Sequence, residues 1–135
     1  MLNTPHKDLV RATFALFLLA HGIAHFVGFG HAWRLLTPDP YVYRTTLFGS
    51  HLDVGDIGMR TLGVVWIILG LGFVGVSAAA LLKTPWWMGA AGAVATASFV
   101  MCALQRPDAS VGLALNAIII VALLAVARLS QLAAS

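Results

Sequence analysis

Four apolar segments, each long enough to cross a bilayer, constrain this chain more than any other feature. None of them contains Asp, Glu, Lys or Arg, and they run from Ala12 to Trp33, Thr61 to Leu82, Thr84 to Gln105 and Ala109 to Ala127. A transmembrane helix needs about 20 predominantly apolar residues. The sequence therefore predicts an all-α, polytopic membrane protein, folded as a compact bundle of four transmembrane helices.

Little more than connecting loops remains outside these segments, so we expect residues 1–135 to form a single membrane domain. The composition agrees, because 60% of the residues are apolar and only 10% are charged, far from the usage of soluble proteins. The predicted elements are four helices and one long loop, at about 9–33, 59–82, 85–105, 109–131 and, for the loop, 34–58.

The charged residues bear on partners and location. The net charge of +3 comes from basic residues scattered at the predicted helix ends, without the basic stripe and interleaved aromatics that would indicate nucleic acid. No nucleic-acid partner is expected; the expected partners are the lipid bilayer and other membrane protein subunits. Basic residues divide evenly between the two sides, but the acids favour the long loop. We predict a bacterial inner-membrane protein with both termini cytoplasmic.

The motif HGIAH places His21 and His25 inside the first apolar segment. Residues four apart lie on one face of a helix. Ionisable side chains within a membrane are costly, and they usually face a bundle interior, a cavity or a ligand. The pair therefore predicts a polar site within the membrane.

The four-span topology brings other polar groups to the depth of this pair, in the outer leaflet. The second helix starts on that side with Trp66, the third ends there with Cys102 and Gln105, and the fourth starts there with Asn116. The long loop is expected to fold over this layer, bringing in His51 and Asp53. A single polar layer, defined by residues far apart in sequence, follows from this topology.

Several kinds of chemistry fit such a layer. A metal site would use His21, His25, His51 and Asp53, a set that suits zinc, copper or iron. A haem with two histidine ligands would need His51, because helices two to four contain no histidine. A quinone or lipid head group would bind against His21, His25, Trp66 and Asn116. The remaining interpretations are a proton relay and hydrogen bonds that only fix helix packing.

The first segment also resembles the start of DoxX-like membrane proteins. The matching stretch is LVRATFALFLLAHGIAHFVGF, with Arg11, Phe14, Phe17, His21, Gly22, His25, Gly28 and Phe29 at the corresponding positions. It departs from that family at His25, where lysine is frequent. The resemblance implies a short four-helix protein linked to membrane redox chemistry, because some members are membrane subunits of oxidoreductases that pass electrons to quinone.

Together these observations predict a small integral membrane subunit or accessory protein of a larger bacterial complex, with a polar outer-leaflet pocket around His21 and His25. Quinone-linked redox chemistry is the expected activity of the complex. A metal- or haem-binding membrane oxidoreductase is the first alternative, and a purely structural subunit without a cofactor is the second. No recognisable arrangement of acid, base and nucleophile marks an autonomous enzyme.

Overall fold

The computed structural model describes residues 4–36 and 42–132, and four long helices account for most of them. The helices are α1 (Thr4–Ala32), α2 (Gly55–Leu81), α3 (Trp87–Leu104) and α4 (Ser110–Leu132). All four are long and apolar enough to cross a membrane. The predicted all-α, four-helix membrane fold is therefore confirmed.

The ends of α1 and α2 differ from the sequence-based bounds. α1 begins at Thr4 rather than near residue 9, and α2 begins at Gly55 rather than near residue 59. These added turns carry charged side chains, among them Lys7, Asp8 and Asp56, which the apolar pattern does not include. A helix continues beyond its apolar stretch because backbone hydrogen bonds, and not only hydrophobicity, extend it.

α1 and α2 end in the same way. A basic residue after each helix adopts positive φ, Arg34 at 56° and Lys83 at 59°. This conformation is unfavourable for a residue with a Cβ, and a carboxylate holds each side chain in place. Arg34 Nη2 donates to Asp56 Oδ1 at 2.7 Å, and Lys83 Nζ donates to Asp8 Oδ2 at 3.0 Å.

The long loop contains a short hairpin that the sequence did not predict. Strand β1 (Thr46–Leu47) pairs antiparallel with β2 (Leu52–Asp53). The turn between them is hydrogen-bonded to the end of α3. Phe48 N donates to the carbonyl oxygen of Leu104, the last residue of α3, at 2.9 Å, and Gly49 N donates to that of Arg106, in the α3–α4 connection, at 3.3 Å. Of the predicted loop 34–58, residues 37–41 lie outside the described part of the chain.

The helices pack in chain order around the bundle. α1 lies along α2, α2 on α3 and α3 on α4, whereas α1 and α4 are not among the closely packed pairs. We call the boundary between the first and last helices the α1–α4 seam. The end that holds the hairpin and the α3–α4 connection is the loop end, and the opposite end is the terminal end.

Glycines bring α1 and α2 close together. A Cβ on Gly22 would lie 2.8 Å from Phe73 Cβ and 2.9 Å from the Gly70 carbonyl oxygen, and a Cβ on Gly70 would lie 2.9 Å from the Gly22 carbonyl oxygen. Small residues permit such backbone approach in membranes. Towards the terminal end, buried residues of all four helices form what we call the apolar core: Leu18, Phe73, Val76, Ala91, Ala95, Ile119 and Leu123.

Candidate functional site

His21 and His25 lie on the face of α1 that points into the bundle. They are 6% and 4% exposed, and their ring centroids are 4.8 Å apart in an edge-to-face arrangement. Both rings contact Phe73, at 4.8 Å and 5.1 Å between centroids. The helical spacing of HGIAH thus places two imidazoles side by side, against an aromatic wall contributed by α2.

Asn116 of α4 fixes the direction of the hydrogen bonds around the pair. Its Nδ2 donates to Gly112 O at 2.8 Å, and because a carbonyl only accepts, the amide can face no other way. Its Oδ1 then faces Nε2 of His21 at 3.2 Å, so that ring nitrogen must carry the proton. Asn116 is fully buried, and this bond crosses the α1–α4 seam.

Ser98 of α3 completes the network. Nδ1 of His25 donates to the carbonyl oxygen of His21 at 2.8 Å, which leaves Nε2 of the neutral ring as an acceptor. The Ser98 hydroxyl lies 2.7 Å from that nitrogen and donates to it. The same oxygen accepts from Asn116 Nδ2 at 2.8 Å. We call His21, His25, Ser98 and Asn116 the polar network.

The hydrogen bonds of the polar network have one definite direction, because the backbone carbonyl oxygens of His21 and Gly112 at its two ends can only accept. It joins α1, α3 and α4, and each of its four side chains is buried. One ring nitrogen is left over: in the neutral tautomer, Nδ1 of His21 accepts, and it has no partner among the described residues. The His21 ring lines the cavity described below, so this remaining acceptor marks a point where a ligand could bond.

Trp66 of α2 positions a second polar group beside the network. Its indole lies 5.1 Å from the His25 ring between centroids, and it occupies the space that a Cβ on Gly28 would need, 2.7 Å from Cδ2. Its Nε1 donates to Gln105 Oε1 at 3.2 Å. An indole N–H only donates, so the amide nitrogen of Gln105 must point the other way.

A cavity of about 330 Å³ opens beside these residues at the loop end of the α1–α4 seam. Its size is at the lower end of the range for small-molecule sites, and its walls are mostly apolar, as such sites usually are. Two of its lining residues have a buried side-chain atom without a hydrogen-bond partner among the described residues, Gln105 Nε2 and His31 Nδ1. His21, His25, Trp66 and Gly112 also line it. Gln105 and His31 both line, in addition, a smaller, more polar pocket beside the hairpin turn.

The predicted metal ligands are not brought together. His51 lies exposed in the hairpin turn, and Asp53 is exposed and accepts from Gly55 N at 2.9 Å. Within residues 4–36 and 42–132, no three His, Cys, Asp or Glu side chains are grouped so as to hold a metal. The Nε2 atoms of His21 and His25 are already bonded to Asn116 and Ser98, so a metal or haem does not fit these donors.

The loop has its own electrostatics, separate from the network. The Thr45 hydroxyl and the Gly55 N–H bond the carboxylate of Asp53 and lower its pKa. Partial burial and a bond to Asp56 raise the pKa of Tyr43, whose hydroxyl donates to Asp56 Oδ1 at 2.9 Å. The Arg34 guanidinium lies 4.2 Å from the Tyr43 ring centroid. These residues hold the loop to the end of α1 without entering the cavity.

Comparison with known proteins adds no assignment. No family model, curated protein or solved structure matches this chain. The geometry also identifies residues that the sequence did not single out as a site. Gln105 was placed only by depth, Gly28 entered only through the family resemblance, and Ser98 and His31 were not singled out. The contacts of Gln105 with Trp66 and of Ser98 with His25 depend on how the helices pack.

Proposed function

We propose that this protein binds a lipid-soluble quinone in the cavity between His25, Trp66 and Gln105, as a small subunit of a larger membrane complex. The supporting observation is Gln105 Nε2, a buried donor of fixed orientation with no partner among the described residues, on a side chain that lines this mostly apolar cavity. Buried donors are nearly always satisfied. A carbonyl oxygen on an otherwise apolar ring would satisfy this one.

The reduced form of a quinone would match the site as well. Its hydroxyl would donate to the remaining acceptor, Nδ1 of His21, whereas the oxidised carbonyl would accept from Gln105. Apolar side chains of α1 and α4, including exposed Val27 and Val111, border the cavity towards the lipid. An isoprenoid tail would leave the site through this opening without crossing water.

A subunit role follows from what the site lacks. The polar network has no carboxylate, and apart from Nδ1 of His21 its side-chain polar atoms are bonded within the protein. Oxidation of a bound quinol would release two electrons and two protons, and the electrons would have to pass to a redox group on another protein. The resemblance to DoxX-like proteins is compatible with such a partner, and with a bacterial inner-membrane location and cytoplasmic termini.

The alternative function is structural, and a specific observation favours it. Apart from Nδ1 of His21, every polar side-chain atom of the network has a partner within the protein, so the network would serve to hold α1, α3 and α4 together without any ligand. Interhelical hydrogen bonds of this kind stabilise membrane bundles. The unpaired Gln105 nitrogen is what separates the two proposals.

Quenching of tryptophan fluorescence by a short-chain quinone tests the binding proposal in detergent micelles. Gln105→Leu removes the donor and is expected to weaken binding about tenfold, the effect of one hydrogen bond near 1.4 kcal/mol. Gln131→Leu makes the same change on an exposed part of α4 and is the matched control. Trp66→Phe should remove most of the saturable quenching, because Trp66 borders the cavity.

A tail-matched dimethoxybenzene, which lacks carbonyl groups, completes the test. We expect it to bind no more tightly to the wild type than to Gln105→Leu. Equal quinone affinity in Gln105→Leu and Gln131→Leu, or equal binding of the two ring compounds, would overturn the quinone proposal and favour the structural role. Fusion of a fluorescent reporter to the C-terminus tests the orientation, since it should fluoresce only if that terminus is cytoplasmic.

A further inference from the structure

A second cavity lies in the α1–α4 seam, at the terminal end of the bundle. It measures about 450 Å³ and is separated from the first by the His21–Asn116 bond. Its walls are apolar, with Val10 and Phe14 from α1, Trp87 and Met88 from α3, and Ala122 and Val126 from α4. Two basic residues, Lys7 and Arg11, also line it.

The charges around this cavity are unbalanced. Asp8 accepts from Arg11 Nη2 at 2.7 Å and from Lys83 Nζ at 3.0 Å, so one carboxylate serves two cations. Lys7 is exposed and has no ion pair within the described residues. Arg128 of α4 adds a further exposed positive charge at the same end. The rim of the cavity therefore has an excess of positive charge over an apolar interior.

We propose that this cleft binds one anionic phospholipid, with its phosphate between Lys7 and Arg11 and an acyl chain against Val10, Phe14 and Val126. Basic pockets between transmembrane helices bind anionic head groups in this way. Trp87 supplies an aromatic ring at the level of the head group, where tryptophan is enriched. This site does not depend on the quinone proposal, because it shares no lining residue with the first cavity.

Charge complementarity selects this occupant over a second copy of the chain. The terminal end of another copy would bring the same excess of positive charge to the rim and would be repelled. A zwitterionic lipid such as phosphatidylcholine would fill the apolar walls, but its choline cation would oppose the attraction of its phosphate to the basic rim. An anionic lipid would fill the apolar walls with its acyl chain and neutralise the basic rim with its head group.

Native mass spectrometry of the intact protein, released from bilayers containing equal amounts of phosphatidylglycerol and phosphatidylcholine, tests the proposal. We expect the wild type to retain one phosphatidylglycerol in preference to phosphatidylcholine. Lys7→Gln should reduce that preference about fivefold, the effect of one basic residue at a membrane surface. Arg44→Gln removes an exposed charge at the loop end and should leave the preference unchanged.

A second pair of variants tests the cleft itself. Ala122→Leu fills the cavity without changing charge and should abolish retention of the lipid, whereas Ala125→Leu, on the exposed face of α4, should not. Equal retention of the two phospholipids by the wild type would overturn the proposal. Unaltered retention in Ala122→Leu would also overturn it, because it would indicate binding at the surface only.

Discussion

The two halves of this bundle are held together by different means. Towards the terminal end, the apolar core fills the space with aliphatic, aromatic and alanine side chains from all four helices. Towards the loop end, the polar network joins three helices by hydrogen bonds of fixed direction. Lipid is as apolar as leucine, so burial alone gives membrane helices little reason to associate. Close packing of side chains therefore dominates at the terminal end, and hydrogen bonding dominates at the loop end.

The difference indicates what each half specifies. Small and apolar contacts set how closely helices approach, but many alignments of such surfaces are similar in energy. The hydrogen bond that Asn116 donates to Ser98 and the one that it accepts from His21 are both satisfied in only one register of α1, α3 and α4. The polar half therefore fixes the alignment of the bundle, and the apolar half fills it.

The largest expected effect comes from the glycine contact where the two halves meet. Gly22→Ala would place a methyl group 2.8 Å from Phe73 Cβ and 2.9 Å from the Gly70 carbonyl oxygen, so α1 and α2 would have to separate. We expect a loss of about 3 kcal/mol in the free energy of unfolding in mixed micelles, typical of overpacking. Both halves should weaken together, because Phe73 contacts both.

Gly75→Ala is the matched control on α2. Apart from its chain neighbours and the nearby backbone of α2, no atom of the described residues lies within 4 Å of the added methyl group. It should stabilise the protein by about 0.5–1 kcal/mol through helix propensity. If the two substitutions had the same sign, the close approach of α1 and α2 would not be the cause.

Asn116→Leu tests the polar half directly. The substitution leaves Nε2–H of His21 without its acceptor and the Ser98 oxygen without the donor from Asn116. The free energy of unfolding should therefore fall by about 2 kcal/mol. In the apolar half, Ile119→Val on the same helix should cost about 1 kcal/mol, because only one methylene is lost. A larger loss for Ile119→Val, measured by the same unfolding assay, would reverse the comparison.

Ser77→Ala removes a buried hydrogen bond from the apolar half. Ser77 Oγ donates to the Ala15 carbonyl oxygen at 2.7 Å. Because this carbonyl already serves the backbone of α1, we expect a loss of only about 0.6 kcal/mol, the average for interhelical side-chain bonds in membranes. Ser130→Ala, on the exposed end of α4, is the control and should be neutral in the same assay. If Ser77→Ala lowered the free energy of unfolding more than Asn116→Leu does, the polar network would not be the dominant polar contact.

The smallest effect belongs to the hairpin and depends on pH. The pKa of Asp53 is lowered in the folded protein by the Thr45 hydroxyl and the Gly55 N–H. The stabilisation is therefore present above the ordinary pKa near 3.8 and lost as the pH falls through the lower folded value. Carboxyl NMR titration should show Thr45→Val shifting that pKa upward. An unchanged midpoint would exclude the hydroxyl as its cause.

The sequence was a sufficient guide to the helices, because each apolar segment is uninterrupted by charge. It also placed His21 and His25 on one face, and topology alone brought Asn116 and Trp66 to their depth. It did not predict the hairpin, since strands of two residues leave no periodic pattern. Nor did it predict the pairing of Gln105 with Trp66, because the direction of an amide is decided by its partner and not by its position in the chain.

For a related reason, the sequence could not show that the four residues proposed to bind a metal are not brought together in the structure. Spacing put two imidazoles together, but it could not show that Ser98 and Asn116 already engage their Nε2 atoms. His51 and Asp53 were assigned to the layer because their loop was long, whereas the hairpin holds both of them exposed. Binding of quinone by His21, His25, Trp66 and Asn116 stays a prediction.

The loosely packed α1–α4 seam has a consequence for how molecules reach this protein. Both cavities lie along it, and exposed apolar side chains of α1 and α4, such as Val27, Val111 and Val126, border them. A ligand would arrive by lateral diffusion within the bilayer, in two dimensions. Occupancy would then follow the mole fraction of the ligand among the surrounding lipids, and its solubility in the aqueous phase would be irrelevant to the rate of exchange.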